Sequence, residues 1–353
     1  MRDKSLDIAK GICIIFVLMS HSCGFPYQIG KYCTTYFMAS FFIISGYLQS
    51  NQKTLCVEIK RKVKKILVPY FLYNFGLYIM YALIEGFKSF RDAGWAFLGI
   101  FYSSYCLYFP ISREDNIFFY RVYNNATWFF TAFFCASVLF LIYKELCLKK
   151  RQKIAVFILF ILLTQTLSIC PIFLPWNLDK AFIGANFMII GYELKQYKVF
   201  EIQDFYIKIC STIFMIVIYV GLVNYNPEIN LATREYGNRN FYSVVLYLLI
   251  GVIGTILCVW LSKLICPIPI LGNVLAKLGS TTVPIISFHI LLFHLLDGFV
   301  NRYVTESVLN SHYWEYGALK IGVTCLLILL AKCGVQFTKE EYKAKERQRI
   351  KYE

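Results

Sequence analysis

Three ionisable side chains, Asp7, Lys10 and His21, stand in the first apolar run of the sequence. A charged group at the centre of a membrane helix costs roughly 2.5–3.5 kcal/mol, so each is a candidate for function. Histidine exchanges protons near neutral pH and is the commonest general base. At 100° and 1.5 Å per residue, Lys10 and His21 return to within about 20° of one another and stand roughly 16 Å apart along the axis. Asp7 falls roughly 60° to one side of Lys10. Ile14 and Val17 lie between them, so the stripe is polar at its ends and apolar in its middle. A face with ionisable groups at both ends belongs against a bundle interior or an aqueous cavity. The plainer alternative makes Asp7 and Lys10 interfacial and His21 a satisfied polar residue near the far end, because helix-end charges snorkel cheaply.

A second apolar run carries His289, His294 and Asp297. His294 and Asp297 are i,i+3 neighbours able to pair, whereas His289 looks in another direction. The five-residue spacing of the two histidines does not converge on one ion, and no metal is expected. Thirteen cysteines are spread without a CxxC, mostly inside apolar runs, where Cys behaves as a small buried hydrophobe.

These residues need helices in lipid to position them. Hydrophobic residues make up 58% of the 353 and charged residues 16%, with 32 Phe and 27 Tyr. Such a composition excludes soluble, disordered and collagen-like chains. Ten apolar runs near 7–25, 32–49, 66–85, 128–144, 153–171, 181–194, 206–224, 241–261, 280–300 and 315–337 have roughly the length a bilayer requires. The expected fold is therefore all-α, a polytopic membrane bundle of about ten transmembrane helices. Trp95–Pro110 reads as a re-entrant or interfacial segment, and 224–240 as the clearest extramembrane loop. With the N terminus cytoplasmic, 26 of the 36 Lys and Arg fall on the cytoplasmic side and 10 on the other. This places both termini in the cytoplasm and explains the net charge of +15 without nucleic acid. The first run lacks an A-x-A cleavage site and reads as a retained span.

Several segments in order then resemble one family. SLDIAKGICIIFVLMSH (5–21), FMASFFIISGYL (37–48), KRKVKKILVPY (60–70), TWFFTAFF (127–134), LDKAFIGANFMIIGYEL (178–194) and LGSTTVPIISFHILL (278–292) resemble the acyltransferase-3 family of integral membrane acyltransferases, in its fucose 4-O-acetylase-like, polysaccharide O-acetyltransferase branch. A basic residue ten residues before a histidine marks that family's first span, and Lys10 and His21 fit it. The resemblance implies transfer of an acyl group, usually acetyl, from cytoplasmic acetyl-CoA to a hydroxyl of an extracytoplasmic polysaccharide or lipid-linked sugar, at the plasma (inner) membrane. It implies a domain over 1–340, followed by a basic tail over 341–353. Acetyl-CoA is then a co-substrate and no metal is required.

Within that resemblance His21, Lys10 and Asp7 are the expected catalytic residues, with His21 the base and Lys10 meeting the donor or lining its path. Arg61, Lys62 and Lys65 are expected to meet donor phosphates, although the same charges serve as a positive-inside signal. The family often places Arg where this chain has Lys, and Lys is a point charge without a bidentate fork. Ser45 and Gly46 offer a hydroxyl and a close backbone approach, or simply tight helix packing. On the acceptor side stand His289 and Trp128, the latter either an aromatic-belt residue or a sugar-stacking platform. The expected partners are acetyl-CoA, the sugar acceptor and membrane lipids; a homo-oligomer is left open. The competing classes are a transporter or flippase of glycan intermediates, which should show internal repeats, a membrane racemase, which carries a soluble domain, and a glycan polymerase with a larger outer loop. No repeat and no such domain is visible in the sequence.

Overall fold

The computed structural model describes residues 3–352 apart from 24–25, 51–53, 85, 88, 104–124, 147–148, 171–172, 203, 239 and 305. The end of the expected re-entrant segment, 104–110, lies outside the described residues, whereas its start belongs to the helix Phe90–Tyr102. The chain is an all-α bundle. Its helices are α1 (Lys4–Ser22), α2 (Tyr27–Thr34), α3 (Phe37–Tyr47), α4 (Leu55–Lys62), α5 (Val68–Ile84), α6 (Phe90–Tyr102), α7 (Trp128–Leu146) and α8 (Lys150–Ile169). There follow α9 (Leu178–Gln196), α10 (Phe205–Tyr225), α11 (Ser243–Ile265), α12 (Pro269–Gly279), α13 (Thr282–Val300), α14 (Glu306–Ser311) and α15 (Tyr313–Tyr352). A π-helical segment, Val63–Leu67, joins α4 to α5 just before Pro69. The wider turn suits a proline that has no N–H to give and whose ring crowds the carbonyl four residues back.

Among the described residues, eight helices are long and apolar enough to cross a membrane. They account for eight of the ten expected spans. The other two expected spans are helices of a different character. The run at 32–49 breaks at Thr35–Tyr36, and α3 keeps only 11 residues, about 16 Å of rise. The break is stabilised from outside: the Tyr219 hydroxyl of α10 donates to the carbonyl of Tyr32 at 2.7 Å and contacts the Thr35 hydroxyl at 2.9 Å. The run at 181–194 becomes α9, whose Asp179, Lys180, Glu193 and Lys195 lower its hydropathy. Both α3 and α9 are buried along most of their length, so protein rather than lipid solvates their irregular backbone and charges. Lipid is left to helices such as α8 and α10, whose most apolar windows are only 11% buried.

Small residues allow the central helices to touch. A Cβ on Gly46 of α3 would collide with the Met188 carbonyl of α9, and one on Gly191 with the Ile43 carbonyl. Gly46 therefore serves helix packing. The loop at 224–240 is ordered, with some of its described residues exposed and others buried. It folds into a two-stranded antiparallel hairpin, β1 (Ile229–Asn230) and β2 (Glu235–Tyr236), with Leu231 and Tyr236 both buried. Asn226 staples its base, donating to the Tyr236 carbonyl at 2.8 Å and accepting the Asn238 N–H at 3.0 Å. Gly237, at φ +111°, lies where a side chain would strike that amide.

Candidate functional site

Four helices, α1, α3, α7 and α13, line two cavities at different heights of the bundle. The first, about 380 Å³, holds His21, with Ser20, Met38, Trp128 and Phe129 among its walls and the hairpin residues Asn230 and Leu231 over it. The second, about 450 Å³, holds Lys10, Ser45, Arg61, Lys62 and Lys65 against Phe130 and Phe133. The structure thus brings Lys10 and His21 to one face of α1, each facing a cavity, as the helical spacing requires. Val17 lines the histidine cavity, and Ile14 is fully buried between them.

His21 is exposed within its cavity. Against it lies His289, fully buried, with ring centroids 5.1 Å apart and planes at 57°. The Nδ1 of His289 is 3.0 Å from the Ile285 carbonyl and 3.1 Å from that of Ile286. Carbonyl oxygens only accept, so Nδ1 carries the hydrogen. Nε2 is buried and has no hydrogen-bond partner among the described residues. His294 lies elsewhere on α13. Its i,i+3 neighbour Asp297 is engaged by α15, accepting the Tyr316 hydroxyl at 2.6 Å and Lys320 Nζ at 3.1 Å.

Trp128 opens α7 at 8% exposure and lines the histidine cavity, which corrects the aromatic-belt reading. One reason is a buried polar cluster that the sequence did not single out. Asp179 and Lys180 are completely buried and Arg234, from the hairpin turn, nearly so. Arg234 Nη1 is 3.3 Å from Asp179 Oδ2, and its guanidinium lies 3.9 Å over the Phe173 ring. It also donates to the carbonyls of Leu167 and Cys170 at 2.8 and 2.7 Å. Lys180 Nζ donates to Asn177 Oδ1 at 2.7 Å and sits 5.3 Å above the Trp128 ring, a cation–π contact. Asn177 Nδ2 in turn points at the Trp128 carbonyl and the Thr131 hydroxyl, each at 3.1 Å. The cluster ties the hairpin, the start of α9 and the start of α7 into one wall. The available signal was the pair Asp179–Lys180 inside an apolar segment, which a purely topological count treats as a loop end.

The basic cavity is less uniformly positive than its sequence. Lys10 pairs with Asp7 at 2.7 Å, and Arg61 with Glu58, both i,i+3 contacts. Glu58, 1% exposed, is a second residue that sequence reasoning passed over. Lys62 Nζ donates to Ser45 Oγ at 3.2 Å and lies 5.5 Å over the Phe133 ring. Neither Lys62 nor Lys65 has a carboxylate within 4 Å among the described residues. Among those residues no group of three His, Cys, Asp or Glu side chains converges as a metal site.

The site thus has a histidine in one cavity and a cluster of cations in the other, joined by four shared helices. No curated protein and no solved structure matches the chain. A family model described as an acyltransferase domain matches residues 3–332, almost the whole length. With its multiple membrane-spanning helices, the protein is a membrane acyltransferase, and the chain belongs to the acyltransferase-3 family.

Proposed function

We propose that the protein is an O-acetyltransferase of the plasma (inner) membrane, moving acetyl from cytoplasmic acetyl-CoA to a hydroxyl of an extracytoplasmic polysaccharide or lipid-linked sugar. The observation that carries this reading is the pair of cavities with His21 in one and Lys10, Arg61, Lys62 and Lys65 in the other. In this reading the basic cavity faces the cytoplasm. Lys62 and Lys65 suit donor phosphates, being ammonium groups without a carboxylate to neutralise them. Phe130 and Phe133 suit the apolar arm between the phosphates and the thioester. Ser45 orients Lys62, and the Asp7–Lys10 pair lines the way toward His21.

On the other side His21 takes the proton of the sugar hydroxyl as its oxygen bonds to the thioester carbonyl carbon. The carbon–sulfur bond then breaks, and the thiolate leaves as a free thiol once His21 has given up the proton. His289 packs against His21 and fixes the plane in which that imidazole works. Aromatic and aliphatic side chains make up most of the described lining of the histidine cavity, with Ser20, Thr34 and Asn230 as neutral polar groups and no Asp, Glu, Lys or Arg among them, which favours a neutral sugar face stacked near Trp128.

Membranes containing the protein should release free thiol from acetyl-CoA and should O-acetylate envelope glycan. His21→Ala, at matched protein level, should lower acetylation about 10²–10⁴-fold while leaving coenzyme A binding in place. Near-normal acetylation by that variant would overturn the role given to His21. Reporter fusions should place Lys60 in the cytoplasm and Asn230 outside; finding both on one side would overturn the proposed orientation.

A further inference from the structure

The two cavities share two wall residues, Phe129 of α7 and Ile286 of α13. On α1, α3 and α7 the other wall residues divide along the helix. On α1, His21 lies on one side and Lys10 on the other; on α3, Met38 divides from Ser45 in the same way. Phe129 and Ile286 therefore mark the level at which one cavity gives way to the next. Both are packed shut, at 6% exposure each. The Phe129 ring meets Phe41 and Phe42 edge-on, at centroid distances of 5.7 and 5.4 Å.

This barrier is apolar and made of side chains. A permanent opening here would leave a wet path between the two faces of a membrane. A permanent closure would keep His21 from whatever the basic cavity holds, roughly 16 Å away along α1. Apolar constrictions resolve that conflict because they exclude water when closed and yield to a ligand that displaces them. We propose that Phe129 and Ile286 form a gate between the two cavities, which parts for the acyl end of the donor and limits it to a short chain. The proposal rests on the acyl-transfer reading above and adds the residues that set acyl length.

Ile286→Ala widens the gate, and Phe129→Leu does so with less disturbance of the aromatic packing. Membrane vesicles from producing cells, carrying their own acceptor, are given radiolabelled acetyl-CoA or butyryl-CoA, and label transferred to vesicle material is measured. Discrimination by one methylene in an apolar pocket is typically about 10–200-fold. The wild-type protein should therefore prefer acetyl, and the widened variants should raise the butyryl-to-acetyl ratio of kcat/KM about tenfold or more. An unchanged ratio in both variants, at matched protein level, overturns the gate.

A second arm is independent of catalysis. Ile286→Cys should react with a small membrane-impermeant thiol reagent added to either face, in right-side-out and inverted vesicles. Reaction is read at that residue by peptide mass spectrometry, so the native cysteines stay in place. Labelling from one face only, or from neither, overturns the gate. Labelling from both faces with no transfer of either acyl group overturns the acetyltransferase reading and leaves the gate standing.

Discussion

The two ends of the site use charge in opposite ways. Around the basic cavity the cations face the space they serve: Lys10 and Arg61 keep 20% and 36% of their side chains exposed, and Lys62 and Lys65 line the same wall. Around the histidine cavity the charges stand behind the wall. Lys180 and Arg234 are at most 5% exposed, held by Asp179, Asn177 and backbone carbonyls. Lys180 lies behind the Trp128 ring, and Arg234 belongs to the hairpin turn. Buried ion pairs of this kind add little net stability against an apolar alternative but cost a great deal when one partner is lost. Position, rather than residue type, thus separates cations that can bind a ligand from cations that fix the shape of the pocket.

Substitutions can break or sharpen this contrast. The largest effect belongs to His21, the histidine that lines the first cavity. His21→Ala should cost two to four orders of magnitude in acetylation with little change in melting temperature, read by glycan analysis and thermal unfolding in detergent. Arg234→Ala should do the reverse. Leaving Asp179 buried without its guanidinium should cost about 3–5 kcal/mol of stability, seen as a large fall in melting temperature and in the yield of monodisperse protein. A melting temperature within a degree of wild type would mean that the cluster does not hold the wall.

Smaller effects are expected at the other cavity. Lys62→Ala and Lys65→Ala should each raise the KM for acetyl-CoA tenfold or more, because a charge-assisted hydrogen bond is worth roughly 1.5–3 kcal/mol. Arg61→Ala should raise it less, since Glu58 already neutralises that guanidinium. Equal KM changes for Arg61 and Lys62 would show that pairing with Glu58 does not matter to the ligand. The smallest change is expected at a residue that lines neither cavity. Lys320→Ala removes a partner of the partly exposed Asp297 and should cost about 1 kcal/mol or less, with unchanged acetylation.

What could be read without coordinates followed from local rules. The all-α membrane architecture came from composition and run length, because a bilayer demands about 20 apolar residues per span whatever their neighbours. The common face of Lys10 and His21 came from helical periodicity, which tertiary contacts do not alter. The family came from ordered segments along the chain. Other features depended on contacts between residues distant in sequence. Thr35–Tyr36 is a break because Tyr219, from another helix, satisfies the freed carbonyl. The loop 224–240 read as extramembrane from its Pro, Gly and Asn content, but that Asn226 closes it into a hairpin lining the histidine cavity was not legible in the sequence. Arg234 counted as an ordinary loop charge until folding buried it beside Asp179, which is 55 residues away in sequence. The convergence of Phe129 and Ile286 on the walls of both cavities, and the packing of His21 near His289, were likewise decided only by tertiary structure. Periodicity orients a residue within its own helix; what that face meets depends on how every other helix packs.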